Sequence, residues 1–427
     1  MCAATVDIAA AMSWKCPNAN DDDRHHALRL TQSIAPLRGV RHSNPFVAYL
    51  PYLAWTSYAS RHHVDELACQ SLINQVTENV VAIDGTGFRI TPFERADQLS
   101  DALGFSADGG VWIKDETGQV AGSHKPRHLM TILLHLLTTE SLGLAPWTDL
   151  ADRPSLAIAS CGNAAYAAAT LAAAVQWPIT VFVPPAGNPV VVARLRALGA
   201  QVVECSRRSA DPAGDPCIHR FREAVAQGAI PFTVQGTENA WCLDGGRTIG
   251  WEMAREFEER IVGPPLDRLF VQVGAGSFAA SCIDGFRMSG LTPRLHAVQT
   301  TSCAPLSRAW ANTMRLGGPS VAAGRWSECM WPWQPVGDSA ADGILDDETY
   351  DWLPVVQAMW DANGSPVVAT EPLILQANEL GCRTTGINAS HTGTAGLAGL
   401  LAVRDQVDSD ERVAVVFSGV RRAAILG

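Results

Sequence analysis

Lys125 is the residue from which a chemistry can be built. It stands in Gly122-Ser123-His124-Lys125-Pro126, after a short apolar run (Val111, Trp112, Ile113). A helix-like pattern follows through Leu129, Met130, Ile132, Leu133 and Leu136. Proline is favoured at the first helical position, so the lysine falls at the mouth of a helix. That end of a helix disfavours an ammonium ion and attracts anions. A lysine held there is poised as a free amine, the form a Schiff base requires. Taken alone, the same residues read as a solvated lysine.

Three later stretches carry compatible chemistry. Ser160-Cys161-Gly162-Asn163 follows the strand-like run 155–159 and opens an alanine-rich helix. Small residues between a strand and a helix offer backbone N–H groups to an anion, although a plain helix cap looks the same. Cys161 reads as a small filler rather than as a reacting thiol. Gly274-Ala275-Gly276-Ser277-Phe278 repeats the arrangement after the strand 268–273. The spacing Gly274, Gly276, Ala279 also approaches a dinucleotide fingerprint. That reading needs an acidic residue near the end of the next strand, where Gln299 stands, so NAD is disfavoured. Ser418 ends the strand 413–417 and could face a ring nitrogen as an uncharged hydroxyl; by itself it is a turn residue. Ser390-His391-Thr392-Gly393 precedes a last helix, where His391 reads as a cap or as a group near the site.

The elements that must position these residues alternate strand and helix from Ser155 to Val234, which implies βαβ crossovers and a parallel sheet. The polar run Gln235-Gly236-Thr237-Glu238-Asn239 marks a domain crossover. A short strand pair is expected over 83–92, and a long loop or lid over 310–345. Residues 44–80, rich in aromatics, would cover a domain face or a dimer interface, and the first 40 residues form an arm. At 427 residues the chain suits two domains. A net charge of −11 argues against nucleic-acid or anionic-membrane partners, and no apolar run reaches the length of a bilayer span. The N-terminus lacks a basic start and a leucine-rich core, so no secretory leader is expected. Eleven scattered cysteines without a C-x-x-C pair argue against zinc or disulfides and for reduced thiols in a cytoplasm. The pairs His25-His26 and His62-His63 read as surface features, and no metal site is expected.

Together these motifs, in this order, resemble the fold-type II pyridoxal-phosphate enzymes, which include threonine synthase, serine/threonine dehydratase, cysteine synthase and the tryptophan synthase β subunit. The resemblance covers roughly residues 85 to 420. It implies two three-layer α/β open-sheet domains: a large one from 1–128 and 236–427 that binds the cofactor, and a small mobile one from 129–235. It implies that Lys125 forms the link to pyridoxal 5'-phosphate and later moves the α-proton. Asn163 would touch the cofactor's 3-oxygen, and Ser160, Cys161, Gly162 and Asn163 would cradle the substrate carboxylate. Gly274, Ala275, Gly276, Ser277 and Phe278 would form the phosphate cup, with Ser418 at the pyridine nitrogen. His124 and Ser277 are similar to the tryptophan synthase β subunit, whereas Asn163 is dehydratase-like. The implied reaction is β-elimination or β-replacement on an amino acid by a cytoplasmic homodimer. Threonine-synthase-like γ-chemistry is the runner-up and would need phosphate-binding cations, for which Arg127, Arg194 and Arg247 are the candidates. Outside this class, the pattern leaves room for a NAD-dependent oxidoreductase or for a catalytically silent binding protein on the same fold.

Overall fold

The computed structural model describes residues 2–20, 22–31, 41–260 and 265–422, with only the backbone for 258–260. Its frame is two sheets. The larger is built from β1 (Phe93–Arg95), β2 (Gly110–Asp115), β7 (Arg268–Gln272), β8 (Arg294–Thr300), β9 (Ser365–Ala369) and β10 (Arg412–Phe417). Their order is β1-β2-β10-β7-β8-β9, with β1 antiparallel to β2 and every other pair parallel. The smaller comprises β3 (Leu156–Ala159), β4 (Ile179–Val183), β5 (Gln201–Glu204) and β6 (Ile230–Pro231), all parallel in the order β5-β4-β3-β6. Helices flank both sheets. The central strands β2, β7 and β10 are nearly continuous buried runs, as expected of parallel strands covered on both faces.

The sequence expectations fail in four places. No strand pair forms over 83–92. The helix Glu66–Asp84 runs into this stretch and ends at Gly85, whose φ of +76° and N–H to Val81 O make a left-handed cap. Residues 310–345 are not one long loop, because the helix Pro305–Leu316 occupies the first part and Pro319–Ala323 forms a second short helix. The sequence pattern predicts a helix from about Thr248 to Arg260, and the observed helix begins earlier, at Trp241. Strand β9 is an element that the sequence pattern does not announce. The aromatic segment 44–80 does cover a face: Phe46, Trp55 and Tyr58 are fully buried in the core that includes the smaller sheet. The first residues pack as a strap, with Ala240 N donating to Trp14 O at 2.7 Å and Trp241 Nε1 to Ser13 O at 2.9 Å. The last part of the expected arm, 32–40, lies outside the described residues.

A buried charge network ties β2 and the turn after it to the helices Lys125–Ser141 and Trp241–Arg260. Arg127 donates to both oxygens of Glu116, at 2.8 and 2.9 Å, and to Thr248 at 3.0 Å, and it pairs closely with Glu252. Lys114 also pairs with Glu252 and donates to Thr91 O at 2.7 Å. All four charged side chains are excluded from solvent. Two cations and two anions cancel, so each is held only while its partners remain. Arg127→Met leaves Glu116 and Glu252 under-compensated and should cost about 3–5 kcal/mol of unfolding free energy, measured by urea denaturation of the cofactor-free chain.

Candidate functional site

The carboxyl ends of three adjacent parallel strands converge on one cleft, where ligands of open α/β sheets bind. Beyond β2, the turn 116–124 brings the chain to Lys125, the first residue of the helix Lys125–Ser141, with Pro126 second rather than first. Beyond β10 comes Ser418. Beyond β7 comes Gly274–Gly276, leading into the helix Ser277–Met288. Backbone bonds weld the first two together: His124 N donates to Ser418 O at 3.1 Å and Val420 N to Gly122 O at 2.8 Å. The fourth motif arrives from the smaller sheet. Beyond β3, Ser160–Gly162 leads into the helix Asn163–Ala174. Arg422 Nε donates to Asn163 Oδ1 at 3.0 Å, and a Cβ on Gly419 would lie 2.9 Å from Asn163 Nδ2. All four sequence motifs therefore meet.

Among the described residues, the Lys125 amine has no hydrogen bond or ion pair. Burial lowers its pKa from the ordinary lysine range, opposed by the Asp346 carboxylate and the Cys242 thiol. A lowered pKa gives the free amine that nucleophilic attack needs. His124 lies on the Phe278 ring at 4.0 Å between centroids. Burial, then the neighbouring Lys125, keeps this imidazole neutral by pulling its pKa well down. Ser123 Oγ and His124 Nδ1 are buried without a partner among the described residues.

Ser418 is set by a residue that sequence reasoning missed. Gln272, at the end of β7, donates from Nε2 to Ser418 Oγ at 2.5 Å, to Gly393 O at 2.9 Å and to Val416 O at 3.2 Å. Two carbonyls fix which end of the amide faces them. Ser418 Oγ therefore accepts, and its own proton is free to point at a ligand. No local signal marks Gln272, because its partner lies 146 positions away.

The glycine turn is tightly covered. Gly276 has φ of +102°, a conformation that costs glycine little. A Cβ on Gly274 would fall 2.1 Å from Asp346 Oδ2, so a larger residue there would displace the Asp346 carboxylate. The Asp346 carboxylate lies against the turn, and burial first raises its pKa, to about 6. The turn thus already faces an anion. Asp351 donates its N–H to Ala275 O at 2.8 Å and accepts from Gly236 N at 2.8 Å. Burial pushes its carboxyl up to about 7. Ser277 Oγ donates to Val234 O, so its hydroxyl proton is spent on the backbone.

Cys161 stands on the open side of the cleft. Desolvation by the walls, then Asp342, Asp215 and Asp346, raises its thiol pKa, which suits the filler reading. His391 begins the helix His391–Ala402, half-buried, while Ser390 caps it by accepting from Gly393 N at 2.9 Å. Arg127 is locked in the buried network, and Arg247 is paired with Asp284 at 2.8 Å and Asp244 at 3.3 Å. Arg194 lies over the Tyr166 ring. The first two are thus committed elsewhere and unsuited to a substrate phosphate.

The arrangement fits pyridoxal phosphate. An unpartnered amine, orphaned buried polar atoms at Ser123 and His124, a hydroxyl with a directed proton and an anion-facing turn share one cleft. Lys125, Asn163, Gly274–Phe278 and Ser418 are the residues that could hold it.

A model of the family described as "Pyridoxal-phosphate dependent enzyme" matches residues 86–419. Among curated proteins, L-serine dehydratase of Saccharomyces cerevisiae is 25% identical over 212 residues, 49% of this chain and 60% of the relative's length. Among solved structures, maize serine racemase is similar with a TM-score of 0.61 at 16% identity, covering 82% of this chain and 94% of that one. The processed threonine deaminase isoform 2 of Solanum lycopersicum gives 0.59 at 18%, covering 83% and 85%. Diaminopropionate ammonia lyase of Escherichia coli gives 0.60 at 15%, covering 82% and 89%. At such identities the structural likeness is one of fold.

The raised Asp351 carboxyl has a consequence for stability. Its folded pKa lies above the unfolded value, so its contribution is full below about pH 4 and is lost as pH rises towards 7. Asp351→Asn keeps an acceptor for Gly236 N and removes the titration. Thermal denaturation across pH 4–8 should show wild type losing stability relative to the variant over that window.

Proposed function

The chain belongs to the pyridoxal-phosphate dependent enzyme family, and on that premise we propose that it catalyses β-elimination, or β-replacement, on a small amino acid. The observation that carries this reading is the meeting of Lys125, the glycine turn and a proton-directed Ser418 at three neighbouring strand ends. When bound, pyridoxal phosphate supplies the electron sink for charge developing at Cα.

The chain's residues do the rest. The Lys125 amine, kept short of protons by burial, takes the proton from Cα and can return it. The backbone of Ser160, Cys161 and Gly162, with Asn163, holds the substrate carboxylate and so fixes which Cα bond faces Lys125. Gln272 donates to Ser418 Oγ, so the Ser418 proton would be free to meet the ring nitrogen of the bound cofactor. A hydroxyl cannot protonate that nitrogen as a carboxylic acid would, which weakens the sink and favours prompt loss of the β-group over transamination. His124 flanks the amine as a neutral imidazole, and His391 lies at the edge of the site. We further take 129–235 as a small mobile domain closing on the larger one, and the enzyme as a cytoplasmic homodimer. Support for the domain division is that the smaller sheet lies wholly within 129–235. For the compartment it is eleven unbridged thiols.

The γ-chemistry reading loses two of its three candidate cations, Arg127 and Arg247, to ion pairs. NAD chemistry is opposed by Gln299, which is buried and accepts from Leu306 N at 2.8 Å instead of presenting an acid. The cleft favours neutral or cationic substrates over phosphorylated ones: Asp215, Asp342 and Asp346 all bear on Cys161 in the carboxylate loop.

The purified protein should show a visible absorption band that is absent from Lys125→Ala, and it should release ammonia and a keto acid from a β-substituted amino acid. A colourless protein that binds NAD would overturn the reading. In a comparison of serine, 2,3-diaminopropionate and O-phosphoserine, kcat/KM should be lowest for the phosphate ester. Asp346→Asn removes a competing anion from the turn and should tighten cofactor binding by about tenfold, or about 1.4 kcal/mol, in a spectral titration of the cofactor-free chain.

A further inference from the structure

Cys2, Cys16 and His26 form a side-chain cluster outside the cleft. Cys2 Sγ and Cys16 Sγ are 3.5 Å apart, and His26 Nδ1 is 3.4 Å from Cys16 Sγ. The three ligand atoms all lie within 4.8 Å of one another. A tetrahedral zinc ion with Zn–S near 2.3 Å and Zn–N near 2.0 Å sets S···S edges of about 3.8 Å and S···N edges of about 3.5 Å. The two observed spacings agree with those edges to a few tenths of an ångström. A disulfide would need a sulfur separation of about 2.05 Å and would give the imidazole no part.

The surroundings suit a metal. Asp23 Oδ2 lies 2.9 Å from His26 Nε2, on the ring nitrogen away from the sulfurs. A carboxylate there fixes the tautomer that leaves Nδ1 as a ligand. A tight turn follows Cys16, in which Ala19 N donates to Cys16 O at 3.0 Å. Cys16 is buried, His26 half-buried and Cys2 exposed, which leaves one side open to water. Two thiolates and an imidazole select zinc over hard cations such as magnesium or calcium.

We propose that Cys2, Cys16 and His26 bind one zinc ion, whose fourth position is filled from solvent. The ion pins the two ends of the N-terminal strap together. Between them the strap holds the start of the helix Trp241–Arg260. Just before the last ligand, Arg24 and His25 grip Glu348 at 2.6 and 3.2 Å, within the loop that covers the glycine turn. The site is thus structural in position. The absence of a C-x-x-C pair hid it, because its ligands are 14 and 10 residues apart.

The test adds Co2+ to the reduced, metal-stripped full chain and follows d–d absorption in the red, clear of cofactor bands. Native mass spectrometry with Zn2+ gives the stoichiometry. One ion per chain is expected, with tetrahedral bands that Zn2+ abolishes by displacement. Cys16→Ser and His26→Ala should lose it, and Cys382→Ser should keep it. Asp23→Asn, a near-isosteric change at a half-buried position, should weaken affinity by about 10–100-fold. The proposal fails if no ion binds, or if affinity and spectrum are the same in the Cys2→Ser/Cys16→Ser variant.

Discussion

The site depends on four charges that never meet water. Lys114, Glu116, Arg127 and Glu252 come from β2, from the turn after it, from the lysine helix and from the helix Trp241–Arg260. Their mutual pairing fixes the angle at which the lysine helix leaves the sheet. Arg127 lies two residues after Lys125, so the same bonds set where the amine begins. Burying such a set wins little net energy over a hydrophobic packing of the same volume. Its effect is geometric, since few arrangements can satisfy two carboxylates with one guanidinium and one ammonium.

The cleft works by an imbalance that this network does not correct. Within 346–351 the chain carries Asp346, Asp347, Glu348 and Asp351 beside a single amine. Glu348 is paired with Arg24 and His25, and its carboxyl is pulled down to about 2 against its burial. The other three are pushed up, to about 6, 7 and 7, by burial first. Asp346 Oδ2 lies against Gly274, so an internal carboxylate faces the turn. On the proposed reading, a phosphate in that turn would face a carboxyl whose pKa burial has raised to about 6.

The motifs were legible because each is local: a strand end, a small residue or glycine, and a helix start within a few positions. Lys125, Asn163, Gly274, Gly276 and Ser418 each read alone as an ordinary cap or turn residue, and their order along the chain gave them a shared reading. What sets their chemical state was illegible for the opposite reason. Gln272 decides the direction of the Ser418 proton across 146 residues, and Asp346 and Asp351 reach the turn from a stretch with no periodicity. Arg127 reads as available for a substrate phosphate, since sequence does not reveal that Glu116 and Glu252 have claimed it. The strand pair expected over 83–92 fails on a different point. Asp84-Gly85 carries a turn signature, but glycine serves equally as a helix cap, and the apolar spacing through Val80 extends the helix into it.

The N-terminal strap constrains those acidic residues from outside their own loop. Among the described residues, Arg24 pairs with Glu348 and His25 lies against it at 3.2 Å, and neither reaches another carboxylate of 346–351. Were they to release it, a further uncompensated acid would stand beside Asp346, Asp347 and Asp351, and repulsion would push the loop off the turn it covers. The strap therefore acts on the cup through charge rather than through contact with the cofactor residues. That is why a segment that reads as a plain extension in sequence is packed against Ala240 and Trp241 on one side and tied to Glu348 on the other.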